Sequence, residues 1–154
     1  MNTTENNKKL AEFLGWETNE VEVIAPKSLE VIVPFETVKG FFTTSVFKHE
    51  ELKFHNDWNW LMMAAKKIET VETKDGRTFT IDMHRDNVII NQYGKYNNEI
   101  IVTEGGTRIE NLYKACIEFV EWYNKEQSNN TVINSLDEWA KSGFAGIETM
   151  FGGK

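Results

Sequence analysis

A short polar run, Asp82-Met83-His84-Arg85-Asp86, holds the residues of this chain that are best suited to acid–base chemistry. Because successive side chains of a strand point to opposite faces, Asp82 and His84 would share one face. A carboxylate beside an imidazole can orient that ring and tune it as a general base. Catalysis by Asp82, His84 and Asp86 is therefore one hypothesis. A solvated strand face that ends in a turn is the simpler interpretation.

The other two histidines, His49 and His55, lie in neither an H-E-x-x-H pattern nor a Cys/His cluster, so the sequence predicts no metal site. The run His55-Asn56-Asp57 precedes a predicted helix, where it could bind an anion or act as an acid–base pair. The simpler interpretation makes Asn56 or Asp57 the N-cap of that helix and His55 the end of a strand.

A glycine pair followed by Thr107 and Arg108 also lies immediately before a predicted helix. Backbone amides at a helix N-terminus attract phosphate, an arginine fork can grip it, and an aromatic ring can stack on a base. A nucleotide site would combine Gly105, Gly106, Arg108, Arg85 and Trp60. The G-x-x-x-x-G-K-[ST] pattern of a phosphate loop is missing, and a well-capped turn between sheet and helix explains the same residues.

Large apolar residues are frequent near the carboxyl end of the chain. Apolar surface that stays exposed in a soluble protein usually marks a contact with a partner or with another subunit. The sequence therefore predicts an interface formed by Trp139, Phe144, Ile147, Met150 and Phe151.

Bulk composition excludes several classes of protein. The net charge is −7 with only three Arg, which disfavours nonspecific binding of nucleic acid. The single cysteine, Cys116, cannot form an internal disulfide and falls on the apolar stripe of a helix, so we expect a buried, neutral thiol in a reducing compartment. No apolar run reaches transmembrane length, and no signal-peptide layout is present. We expect a cytoplasmic protein without membrane contact, cofactor or metal.

The elements that must position these residues follow from hydrophobic periodicity and turn residues. Helices are expected over residues 5–14, 57–70 and 108–125, with a short helix near 135–143. Strands are expected over residues 21–24, 29–33, 79–83, 88–90 and 100–102, with a further edge strand or ordered loop in 41–47. They would form one antiparallel sheet of about four to six strands. A polar linker at 127–131 divides the chain into an α+β domain, 1–126, and a C-terminal extension, 127–154.

Capping signals set the predicted ends of the helices. Thr4 can cap the first helix and Gly15 can stop it. The T-x-x-E pattern at Thr107 forms a capping box, and Ser135 with Glu138 repeats it before a stop at Gly143. Asp75-Gly76 is a hairpin cue. The apolar stripe of the second helix is expected to run through Trp58, Leu61, Ala64, Ala65 and Ile68, with Trp60 projecting elsewhere.

Three segments, residues 8–16, 54–62 and 114–124, resemble a group of small, largely uncharacterised bacteriophage and prophage proteins. Some of these are described as α-β-α (ABA) sandwich domains. The resemblance extends over roughly residues 8–126 and implies helices on both faces of a sheet, together with action inside a bacterial cell. It carries over no catalytic residue, and it does not cover the C-terminal extension.

These observations favour a phage-encoded, non-enzymatic binding protein, which would inhibit a host defence protein or sequester a nucleotide signal. We expect a homo-oligomer in the host cytoplasm. A small hydrolase or nucleotide-modifying enzyme is the alternative, and a structural or assembly protein is a third hypothesis.

Overall fold

The computed structural model of the chain describes residues 2–26, 31–33, 36–38 and 44–151, and the side chains of 2–26 and 44–142. The chain divides into two compact units, Met1–Val120 and Glu121–Lys154. Parts of the predicted turn near Lys27, of the strand 29–33 and of the edge strand 41–47 lie outside the described residues. None of the described helices combines the length and the apolar character needed to cross a membrane.

The first unit alternates helices with short antiparallel strands. Its elements, in chain order, are α1 (Thr3–Phe13), β1 (Glu17–Thr18), β2 (Glu22–Ala25), β3 (Val31–Val33), β4 (Glu36–Val38), β5 (Ser45–Lys48), a 3-10 helix (His49–Glu51), α2 (Trp58–Thr70), β6 (Thr78–Met83), β7 (Asn87–Tyr93), β8 (Asn98–Glu104) and the start of α3 (Arg108–Phe151). The predicted α+β class, with antiparallel strands flanked by helices, is confirmed.

The strands of the described residues form three sheets, ordered β1-β2-β5, β3-β4 and β6-β7-β8. The prediction of one sheet of four to six strands is wrong, because β2 pairs with β1 and β5 whereas β3 pairs with β4. The predicted meander is confirmed as β6-β7-β8, with Ile81 opposite Ile90 and Ile90 opposite Ile101.

The strands β7 and β8 are longer than predicted, so that their connection shrinks from residues 91–99 to residues 94–97. Ile100 is the extra residue of a bulge, since Ile90 pairs with Ile101 and Asn91 with Glu99. One face of the sheet is buried at Val88 and Ile90. On that face, Phe79 of β6 packs edge-on against Phe119 of α3, with 4.9 Å between ring centroids.

Helix α1 begins two residues earlier than predicted, because Asn2 rather than Thr4 is its N-cap and accepts a hydrogen bond from the Glu5 amide. Gly15 stops the helix as predicted, with φ of +79°, a conformation that costs glycine little. Trp16 then folds back onto the helix, where its amide donates to the Ala11 carbonyl at 3.0 Å.

Helix α2 has Asp57 as its N-cap, whose carboxylate accepts from the amides of Asn59 and Trp60. The predicted orientation of its tryptophans is wrong: Trp60 is 9% exposed and Trp58 is 41% exposed. The ring of Trp60 lies 5.0–5.8 Å from those of Trp16, Phe47 and Phe54. Because these rings come from outside the helix, they shift its buried face towards Trp60 and Met63, which the helical period alone does not show.

Asp75-Gly76 forms a turn, as predicted, but the turn joins α2 to β6 and is not a hairpin between two strands. The Gly76 amide donates to the Thr73 carbonyl at 2.9 Å, and the Thr73 amide donates to the Arg77 carbonyl at 3.0 Å. Gly76 has φ of +79°, which explains the glycine at this position.

The second unit contains the continuation of α3 from Glu121 to Phe151. The predicted end near Lys125, the linker 127–131 and the stop at Gly143 are therefore wrong. Ser135 is not an N-cap, because its hydroxyl donates to the Thr131 carbonyl one turn earlier, at 2.9 Å. Ser128 and Thr131 make the same bond, so these hydroxyls are satisfied within the helix instead of interrupting it.

Candidate functional site

The start of α3 lies beside the turn between β6 and β7, and the side chain of Asn111 joins the two. Asn111 is 2% exposed. Its amide nitrogen donates to the carbonyl oxygens of Gly106 at 3.1 Å and of Asp86 at 3.3 Å. The structure therefore brings together two segments that the sequence singled out separately, the polar run ending at Asp86 and the loop at Gly105.

Two amides of the loop before α3 have hydrogen-bond partners within the protein. The Gly106 amide donates to the Asn111 side-chain oxygen at 3.1 Å, and the Thr107 amide donates to the Glu110 carboxylate at 2.7 Å. The capping box at Thr107 and Glu110 is confirmed by the reciprocal bond from the Glu110 amide to the Thr107 hydroxyl. The amides of Gly106 and Thr107 therefore have partners within the protein itself, and a phosphate site at Gly105, Gly106 and Arg108 stays a prediction.

Charge and shape support the same conclusion. The Thr107 amide and then the Thr107 hydroxyl hold the pKa of Glu110 below its ordinary value, so a carboxylate sits where a phosphate would bind. A Cβ atom at position 106 would lie 3.1 Å from Glu110 Cβ and 3.2 Å from Asn111 Oδ1. Gly105 has φ of +88°. The geometry of the cap therefore favours glycine at both positions.

Trp60, the aromatic residue of the predicted nucleotide site, lies in the core. Its ring is buried among the aromatic side chains of the core, so that it offers no exposed face to a base. Arg85 does lie near the loop, on an open depression of about 350 Å³ that is lined by His84, Arg85, Asp86, Asn87 and Ile89.

The proposed acid–base group is exposed and loosely connected. Asp82 accepts a hydrogen bond from the Asn91 side chain at 2.7 Å. The His84 amide donates to the Asn87 carbonyl at 2.9 Å and closes the turn. No described ion pair joins His84 to Asp82 or Asp86. Within the described ranges, no group of three or more His, Cys, Asp or Glu residues could hold a metal ion.

His55 lies in a turn and not at the end of a strand, and its Nδ1 atom faces the amide nitrogen of Asn7 at 3.0 Å. The same nitrogen donates to the Leu52 carbonyl at 2.7 Å, which fixes it as a donor. Nδ1 of His55 is therefore an acceptor, and the ring proton lies on Nε2. Asp57 is occupied as the N-cap of α2, so the two residues do not form the acid–base pair considered from sequence.

The predicted burial of Cys116 is confirmed. The residue is fully buried on α3. Burial raises the pKa of the Cys116 thiol to about 12, so the thiol is neutral near pH 7. A neutral, inaccessible thiol is a poor nucleophile.

Four large apolar side chains project into solvent from the second unit. Val132, Ile133, Leu136 and Trp139 are 55–73% exposed, and we call them the apolar face of α3. Their three- and four-residue spacing places them on one side of the helix. Trp139 was predicted as an interface residue, and its exposure fits that prediction. The side chains of Phe144, Ile147, Met150 and Phe151 lie outside the described residues.

Sequence reasoning missed Asn111 as well as Val132 and Ile133. Asn111 interrupts an apolar stripe directly after a glycine loop, which is a signal for a buried polar connection. Val132 and Ile133 were overlooked because Asn, Ser and Thr before them resemble a linker. No protein family model, no curated protein and no solved structure matches the chain.

Proposed function

We propose that this chain is a non-enzymatic binding protein that works through protein–protein contact, with the apolar face of α3 as its contact surface. The observation that carries the proposal is the exposure, by 55–73%, of four large apolar side chains on successive turns of one helix. Leaving such a patch in water is unfavourable, and contiguous exposed apolar surface typically marks a binding site. Aromatic anchors such as Trp139 contribute strongly to protein interfaces.

The alternatives receive less support from the described residues. A nucleotide phosphate that used the Thr107 amide would have to displace the Glu110 carboxylate, which accepts from both the amide and the hydroxyl of Thr107. An enzyme that used Asp82, His84 and Asp86 would depend on exposed groups. Among these, Asp82 accepts a hydrogen bond from Asn91 of the neighbouring strand, and the His84 amide closes a turn. By its resemblance to phage proteins, the chain would act in the cytoplasm of a bacterial host.

The experiment is site-specific photo-cross-linking in bacterial cells. A benzophenone amino acid replaces Leu136 on the apolar face or, as the matched control, Asn134 on the other side of the same helical turn. We expect a covalent protein adduct, identified by its mass, from position 136 and little from position 134. Equal adducts at both positions, or none at position 136, would contradict the proposal.

A second variant separates binding from catalysis. His84→Ala removes the only imidazole of the candidate acid–base group, and we expect the adduct at position 136 and the biological effect of the chain to be unchanged. If His84→Ala abolishes that effect while the adduct persists, the enzymatic hypothesis replaces the proposed function.

A further inference from the structure

The geometry of α3 points to a second copy of this chain as the occupant of the apolar face, in an antiparallel pair of helices. This inference rests on the proposed function, because it assumes that the face is a protein contact. It adds the identity of the partner, the direction of its helix and the residues that meet.

A line of residues that includes Ile133 and Leu136 of the apolar face has the spacing of a helix that pairs with another helix. Asn129, Ile133, Leu136 and Ala140 follow one another at steps of four, three and four residues. This alternation is the heptad pattern in which two helices pack side by side. None of the four residues is charged, so two copies can approach along this line although each chain has a net charge of −7.

The two flanks of this line differ, and their difference sets the direction of the partner. Val132 and Trp139, seven residues apart, form one flank. Asn130 and Asp137, also seven apart, form the other. In a parallel pair each flank meets the opposite flank, which would press Val132 against Asp137 of the second copy. In an antiparallel pair each flank meets the same flank of the second copy. Apolar side chains then contact apolar side chains, and polar side chains contact polar ones.

An antiparallel register in which Ile133 packs against Leu136 of the second copy covers the whole apolar face. Val132 then meets Trp139 of the second copy, and the two-fold axis passes between residues 134 and 135. On the polar flank Asp137 faces Asn130 of the second copy, so that no like charges are opposed. The isologous pair buries eight large side chains that a single chain leaves exposed.

A lipid surface is the less favourable occupant. Residues 121–154 contain five acidic and three basic residues, which gives a net charge of −2. Amphipathic helices that bind anionic membranes instead carry Lys and Arg on their polar side.

The first test is the mass of the full chain in solution, measured by sedimentation velocity. We expect a dimer of about 36 kDa, twice the chain mass of 17.9 kDa. Trp139→Ser removes the aromatic anchor of the apolar flank and should raise the dissociation constant at least ~10-fold. Asn134→Ala, on the opposite side of the helix, should leave it unchanged. A wild-type chain that stays at the monomer mass overturns the inference.

The second test determines the direction of the partner by disulfide formation. Cys116 is fully buried, so an introduced cysteine on the apolar face is the accessible thiol. In the antiparallel register, Ile133→Cys and Leu136→Cys should each form little disulfide alone but should cross-link when mixed in equal amounts. Because a disulfide needs Cα atoms within about 7 Å, efficient self-linking of Ile133→Cys would show a parallel pair and overturn the register.

The photo-cross-link at position 136 distinguishes failure of this inference from failure of the proposed function. An adduct between two copies of the chain supports both. An adduct with a different protein, together with a monomeric wild-type chain, overturns the inference that the partner is a second copy. The proposed protein–protein contact is then still supported. Absence of any adduct at position 136 contradicts both. Binding of the chain to vesicles of anionic lipid, with loss of binding in Trp139→Ser, would assign the face to a membrane and also overturn the inference.

Discussion

Replacing Asn111 by alanine should loosen the connection between α3 and the β6-β7 turn. The side chain makes three hydrogen bonds: it donates to the carbonyls of Asp86 and Gly106 and accepts from the Gly106 amide, at 3.1–3.3 Å. The backbone carbonyl of Asn111, which accepts from the Thr103 hydroxyl at 2.7 Å, is unaffected by the substitution. The loss is therefore confined to the three side-chain bonds.

The expected loss of stability follows from these bonds. Each intramolecular hydrogen bond contributes roughly 1 kcal/mol net, so three of them amount to about 3 kcal/mol. Alanine has the higher helix propensity, which offsets roughly 0.6 kcal/mol of this loss. Asp86 and Gly106 are exposed residues, so water can replace part of what is lost. The free energy of unfolding should therefore fall by about 2 kcal/mol.

Urea unfolding followed by tryptophan fluorescence measures this change, because Trp16 and Trp60 are buried in the folded state. The midpoint should fall while the slope stays constant. Asn124→Ala, at an exposed position of the same helix, is the control and should not destabilise the chain. Asn111→Asp has nearly the same size but loses both donors, so it should cost at least as much as alanine. A change below about 0.5 kcal/mol in Asn111→Ala would refute the role assigned to this side chain.

Three further predictions concern the core and its titration. Ala65→Asp places an unpaired charge at a site that is 4% exposed and should unfold the first unit, which near-ultraviolet circular dichroism detects as a loss of signal. Asp57→Ala removes the N-cap of α2 and should lower the free energy of unfolding by about 1 kcal/mol, whereas Asp57→Ser should retain most of it; equal losses in the two variants would argue against capping. Burial raises the pKa of Cys116 from 9.0 and of Tyr113 from 10.0, each to about 12, so the unfolded chain loses these protons first and stability should decline from about pH 9 to about pH 12. In Cys116→Ala the decline of stability over this pH range, measured as the urea midpoint at each pH, should be smaller, because only Tyr113 still contributes to it.

Local signals in the sequence were sufficient for much of the first unit. The alternation at Phe79, Ile81 and Met83 predicts β6, because a half-buried strand needs that period. The capping box at Thr107 predicts the start of α3, and Gly15 predicts the end of α1. Each of these signals depends on neighbours within a few residues, so no knowledge of the rest of the fold is needed.

Features that depend on distant contacts could not be predicted. Trp60 is buried because Trp16, Phe47 and Phe54 pack on it. The spacing of apolar residues within α2 does not predict these contacts. The pairing of β2 with β5 depends in the same way on long-range geometry.

The loop before α3 shows a related limit of sequence reasoning. A glycine pair before a helix is compatible with a phosphate loop and with a self-contained cap. Only the positions of Glu110 and Asn111 decide between them. The same limit applies to α3, where polar residues at 127–131 suggest a linker although their hydroxyl groups are satisfied inside a helix.

The continuous helix has a consequence for the local order of its second half. The stretch Asn129-Asn130-Thr131-Val132-Ile133-Asn134-Ser135 consists of residues that form helices poorly, at roughly 0.5 kcal/mol each relative to alanine. Helices in proteins are stabilised mainly by packing, and this stretch has little of its own because its side chains are largely exposed. The second copy that we propose would supply this packing, so the helicity of the stretch should depend on protein concentration. Dilution should then speed amide hydrogen exchange in residues 129–135 while residues 108–120 keep their protection.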